Sequence, residues 1–121
     1  MNNKKSFLFI NRRAPYPGTF AKESMDVTLI AAAFNQNVSL LFMDDGVYQL
    51  LKAQEPSGIN QKNVSLTLPM LEMYDVSNIY VEQASMRARN LTGDDFLIPV
   101  KVIDAEQVRE LLEQQDILLN F

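Results

Sequence analysis

A chain of 121 residues with 47% apolar and 21% charged side chains can bury one core of real size, which excludes intrinsic disorder. Having neither Cys nor His, it forms no disulfide, no thiolate or imidazole metal site and no His-based catalytic triad. The formal charge of −4 argues against non-specific attraction to phosphates, leaving Arg12 with Arg13 as a local basic spot.

In chain order, Ser6 to Asn11 opens with Phe7, Leu8, Phe9 and Ile10, an unbroken apolar run that predicts a strand covered on both faces. Pro15, Pro17 and Gly18 then force a loop, and Thr19 is placed to cap a helix running to about Asn35. Over Val27 to Phe34 only Thr28 is polar, so this helix has no clear solvated face and should be covered on two sides. The sheet supplies one cover, and another helix or a partner subunit the second.

Val38 to Met43 repeats the strand pattern, after which Asp44, Asp45 and Gly46 turn the chain into a short helix carrying Val47, Leu50 and Leu51. Ala53 to Gln61 reads as an exposed loop. Val64, Leu66 and Leu68 alternate like extended chain, and Pro69 opens a short helix with Met70, Leu71 and Met73. Asn78 to Ala84 is the third strand, and Ser85 is placed to cap a brief helix through Arg89. A fourth strand spans Phe96 to Val102, with Pro99 limiting its pairing. Asp104 and Gln107 make a capping-box pattern for the last helix, striped by Val108, Leu111 and Leu112, and Ile117 to Phe121 supplies strand five. This alternation predicts a single α/β domain over residues 1–121, with a parallel sheet between helices and right-handed crossovers.

In such a sheet the loops at the carboxyl ends of the strands form the usual ligand crevice, which directs attention to Asn11–Gly18, Asp44–Gly46 and Glu82–Arg89. Arg12 and Arg13 lack the glycine-rich and Walker patterns of phosphate loops and suit a surface or interface role. Asp44 and Asp45 offer oxygen ligands for a hard cation, as in a receiver domain. Receivers carry that acidic pair after strand one, however, and here it follows strand two, where a cap role for Asp45 suffices. Asp94 and Asp95 read as a solvated turn, and Met70, Met73 and Tyr74 as core or interface filler rather than a cofactor box. No cofactor, metal or enzyme activity is indicated. No apolar run approaches the roughly 20 residues of a membrane span, and Met1 to Lys5 is not followed by a secretory signal, so a cytoplasmic location is expected.

Five segments together resemble the DsrE, DsrF and DsrH family, in its DsrF-like branch. They are the Pro15-Tyr16-Pro17-Gly18 loop, Phe42 to Leu51 with its Asp-Gly-Val-Tyr-Gln-Leu-Leu string, Leu71 to Val76, Ala84 to Leu91, and the Asp116 to Phe121 ending. The resemblance implies a three-layer α/β/α sandwich with a five-stranded parallel sheet. It also implies a heterohexamer with two copies of each of three subunits, including TusB and TusD. In that relay a persulfide passes from TusA through TusD to TusE and on to 2-thiouridine at the tRNA wobble position. Relatives that carry sulfur place a cysteine at the end of the third strand, and the Ala84-Ser85-Met86-Arg87 register puts Glu82 there. A carboxylate stores no sulfur, so a non-catalytic role with no direct tRNA binding is expected. Asn90 stands where relatives commonly have glycine, and Asn also tolerates the left-handed conformation after a helix. Ile30, Phe34, Met70, Met73 and Tyr74 are the candidate interface residues. The alternative is a small ligand-binding or receiver-like module using Asp44 and Asp45.

Overall fold

The computed structural model describes residues 4–14, 20–51 and 68–121, with nothing stated of the Phe20 side chain. Five strands, β1 (Ser6–Asn11), β2 (Asn37–Phe42), β3 (Asn78–Glu82), β4 (Lys101–Ile103) and β5 (Ile117–Asn120), form one parallel sheet in the order β4-β3-β2-β1-β5. The helices are α1 (Phe20–Ala33), the single turn α2 (Met70–Met73), α3 (Gln83–Ala88) and α4 (Ala105–Glu113), with a 3-10 segment at Asp44–Leu50.

This strand order dictates how the helices are distributed. Right-handed crossovers that step successively from β1 to β4 must all pass over one face of the sheet, while the return from β4 to β5 must pass over the other. Accordingly, α1, the 3-10 segment, α2 and α3 share a core with Phe9, Leu40, Phe42, Ile79 and Val81, closed by Met25, Val47, Leu50, Leu71 and Met86. The opposite face holds a smaller core in which, among the described residues, α4 sets Val108 and Leu111 on Leu8, Ile10, Leu41 and Ile103. Alternation along each strand divides its side chains between the two cores. Phe121 follows β5 and stacks on Phe9, ring centroids 6.3 Å apart.

Three helix ends share one device that glycine usually supplies. Asn35, Asp75 and Asn90 have φ of 62°, 61° and 56°. At each, the next residue's N–H returns to the carbonyl five positions before that residue: Gln36 to Ala31 at 3.3 Å, Val76 to Leu71 at 2.8 Å and Leu91 to Met86 at 2.9 Å. These are left-handed C-terminal caps made with Asn and Asp, whose short polar side chains tolerate that conformation. The expectation for Asn90 is met. The Asp104–Gln107 capping box also forms, with both hydrogen bonds at 2.9 Å.

Several boundaries differ from the sequence expectation. In α1 the buried stripe is Ala21, Ser24, Met25 and Thr28, so the one polar residue of the apolar run points inward, its hydroxyl donating to the Ser24 carbonyl at 2.7 Å. Val27, Ile30 and Phe34 are instead 38%, 56% and 73% exposed. This corrects the two-sided cover within the chain: the 3.6-residue period lets only one stripe meet the sheet. Ser85 does not cap α3; Glu82 occupies that position and Ser85 is buried inside the helix. Asp45 is likewise no cap, since Met43 precedes the 3-10 segment and no side chain caps it. β4 begins only at Lys101, while Phe96 makes a lone bridge to Leu51, consistent with Pro99 having no N–H to donate. Leu68 is a buried turn residue. The Thr19 cap, the loop from Ala53 to Gln61 and the Val64 and Leu66 alternation lie outside the described residues.

Gly46 is buried against the end of β1, where an added Cβ would lie 1.9 Å from the Asn11 carbonyl oxygen. Gly93 has open space around it. Gly46→Ala should therefore cost about 1–3 kcal/mol in urea denaturation, through overpacking against a backbone that cannot withdraw. Gly93→Ala should stay within about 0.5 kcal/mol.

Candidate functional site

The crevice predicted at the carboxyl edge of the sheet is assembled from the ends of β1, β2 and β3. The Met43 N–H donates to the Asn11 carbonyl at 3.1 Å, and Gly46 permits the close approach of the two loops. Asn11 is itself buried, its amide donating to the Phe9 carbonyl at 3.4 Å. Arg13 joins the same assembly through its carbonyl, which accepts from the buried Gln49 side chain at 2.8 Å.

Glu82 ends β3 at this edge and is half-buried. The Ser85 hydroxyl donates to its Oε1. The Ser85 oxygen in turn accepts the Asp44 N–H at 2.8 Å, and the Asp44 carboxylate accepts from Arg12 Nε at 2.9 Å. Asp44 adopts φ of 51°, a left-handed conformation that Asp tolerates better than most residues. A parallel set of contacts lies beside it. Arg89 grips Asp45 Oδ1 at 2.9 and 3.2 Å, donates to the Ser85 carbonyl at 3.2 Å, and lies 5.8 Å from the Tyr48 ring centroid.

Asp44 and Asp45, paired in the receiver-like reading, are thus drawn to different guanidiniums rather than converging on one point. Among the described residues no group of three or more acidic side chains could hold a metal ion. Both ion pairs are partly solvated, which limits each to about 0–1 kcal/mol. This edge carries charged groups and no thiol. Asp94 and Asp95 are exposed in a turn, where Asp95 accepts the Thr92 N–H at 2.8 Å.

The apolar candidates sit at the opposite edge. Tyr74 lines one small cavity with Ala32, Asn35, Asn37 and Asn78, so the end of α2 meets the end of α1 near the starts of β2 and β3. Met73 is 80% exposed and Tyr74 38%, while Met70 is only partly exposed. With Ile30 and Phe34 these residues make unburied apolar surface on the helix-rich side.

Sequence reasoning missed two features. Ser85 is the hub of the crevice, and its three-residue spacing from Glu82, which a helical turn closes, was the available signal. An apolar groove of about 610 Å³ between α2 and the stretch before β4, lined by Leu68, Leu71, Val76, Ile79, Leu97 and Pro99, had no signal because its walls are far apart in the chain.

Residues 5–121 match the model of the DsrE/DsrF-like family. The intracellular sulfur oxidation protein DsrF of Allochromatium vinosum is 43% identical, the alignment covering 97% of this chain and 96% of that one. A Pseudomonas aeruginosa TusC homolog is 37% identical over 93% of this chain and 94% of its own length. Among solved structures, the YchN protein of E. coli has a TM-score of 0.81 with 18% identity, covering 97% of this chain and 99% of that one, a likeness of fold. The chain belongs to the DsrE/DsrF-like family.

With Asp44 and Asp45 each held by an arginine, millimolar magnesium should leave the thermal unfolding midpoint unchanged. A metal-dependent rise would revive the receiver-like reading.

Proposed function

We propose that this chain is a TusC-type, non-catalytic subunit of a sulfur relay, assembled with TusB- and TusD-type siblings in a heterohexamer with two copies of each. The observation that carries this reading is chemical: a member of the DsrE/DsrF-like family ends β3 in Glu82, and the whole chain contains no thiol. Persulfide transfer needs a thiolate that attacks and then holds sulfur. Glu82 offers oxygen only. The position equivalent to the sulfur-carrying cysteine is therefore silent here, and sulfur passes from TusA through the TusD-type sibling to TusE, ending as wobble 2-thiouridine in tRNA. This subunit contributes surface. Its charge of −4 suits contact with proteins rather than direct tRNA binding.

The apolar surface at Ile30, Phe34, Met73 and Tyr74, with Met70 at its margin, is where sibling contacts belong in this reading. It supports assembly because large apolar side chains this exposed gain by burial, and interface centres bury them.

Incubated with a persulfide donor, the chain should gain no reducible mass of one sulfur atom; a stable gain would contradict the proposal. Co-expression with the sibling subunits should give a native mass of two copies each. Phe34→Asp or Ile30→Asp should weaken assembly by about thirtyfold or more. Their side chains contribute little to the core, so the isolated variants should keep near-native circular dichroism. Unimpaired assembly in both would remove these residues from the interface.

A further inference from the structure

The sheet has two outer edges, and the chain guards them unequally. β4 spans three residues, carries Lys101 and follows Pro99, features that discourage another strand from pairing there. β5 presents Ile117, Leu118, Leu119 and Asn120 with neither charge nor proline, and among the described residues no strand lies on its outer side. We propose that this outer edge of β5 pairs with the same edge of a second copy of the chain, joining two five-stranded sheets into one.

Backbone direction along β5 determines which groups are on offer. Phe121 donates its N–H to the Ile10 carbonyl at 2.8 Å and accepts the Arg12 N–H at 3.1 Å, so both its polar groups point toward β1. Direction alternates along a strand, which turns Leu119 inward as well and points the N–H and C=O of Leu118 and Asn120 outward.

Identical strands related by a two-fold axis meet antiparallel, and residues opposite each other lie on the same side of the sheet. Leu118 stands beside Leu8 of the small core, and Leu119 beside Phe9 of the large one. Registers that use the whole strand are therefore centred on Leu118 or on Leu119. A centre at Leu118 needs outward groups from Asp116, whose N–H is already donated to the Ser6 carbonyl at 2.9 Å. The Leu119 centre needs none. In it Leu118 exchanges N–H···O bonds with the partner's Asn120, and Asn120 with the partner's Leu118, so every outward group of the strand is paired. Leu119 meets the partner's Leu119 at the closer, non-hydrogen-bonded spacing, and Leu118, 49% exposed, comes within reach of the partner's Leu118 on the diagonal. The reversal also turns the Arg12 end of one β5 toward the Asp116 start of the other, so the flanking charges attract.

The pairing does not rest on the relay reading and is measured on the full-length chain alone. Sedimentation over rising concentration should show a monomer–dimer equilibrium. Asn120→Pro deletes an N–H that β1 does not use, and it should weaken dimerisation by about tenfold or more with unchanged circular dichroism. Because the chain has no cysteine, Leu119→Cys introduces a single thiol, which this register sets opposite its own counterpart within disulfide reach. Leu118→Cys places its two thiols on the diagonal, about 7–8 Å apart between α-carbons of the pair, with side chains that do not face each other. Under mild oxidation Leu119→Cys should therefore form a covalent dimer faster than Leu118→Cys. A wild-type chain that stays monomeric at every concentration, a dimer untouched by Asn120→Pro, or faster crosslinking through Leu118→Cys would each overturn the proposal.

Discussion

Strand β1 is the element on which the structure depends, because it pairs along both edges and is covered on both faces. Phe7 to Asn11 match Val38 to Phe42 on one side, and Phe7 to Ile10 match Ile117 to Asn120 on the other. Phe9 enters the large core and Leu8 the small one, both fully buried. Burying two such side chains contributes about 1.5–3 kcal/mol each, and no other strand serves both cores while holding two neighbours so far apart in sequence. The hand of the crossovers then gives the sheet one heavily covered face and one served, among the described residues, by α4.

That architecture separates the two kinds of surface the molecule offers. At the carboxyl edge, polar and charged groups satisfy one another: Glu82 with Ser85, Asp44 with Arg12, Asp45 with Arg89. At the amino edge, Ile30, Phe34, Met73 and Tyr74 remain in water. The first region holds groups that satisfy one another, while the second leaves apolar area still to be buried.

The order of strands and helices was legible because periodicity and breakers act locally: Phe7 to Ile10, Val38 to Met43 and the Asp104–Gln107 box each announce themselves within one element. The bounds of β4 were less so. An apolar run at Phe96 says nothing about whether a neighbouring strand lies within hydrogen-bonding reach, and only Lys101–Ile103 finds one. The left-handed caps at Asn35 and Asp75 went unread because those residues also serve as ordinary loop polars.

By itself the sequence determined that no thiol or imidazole chemistry is available and that the fold alternates strand and helix, while the structure ended the third strand at Glu82, two residues before the Ala84 expected. The first two follow from residue type and near-neighbour pattern. Only tertiary structure decided that Thr28 faces inward while Ile30 and Phe34 face out, since rotation of a helix about its axis is set by the sheet it meets. Only tertiary structure, too, split Asp44 from Asp45 and turned Ser85 from an expected cap into a buried hub. Arg12 lies 32 residues from Asp44, Ser85 41 residues from Asp44 and Arg89 44 residues from Asp45, separations across which local propensity carries no information about hydrogen bonding.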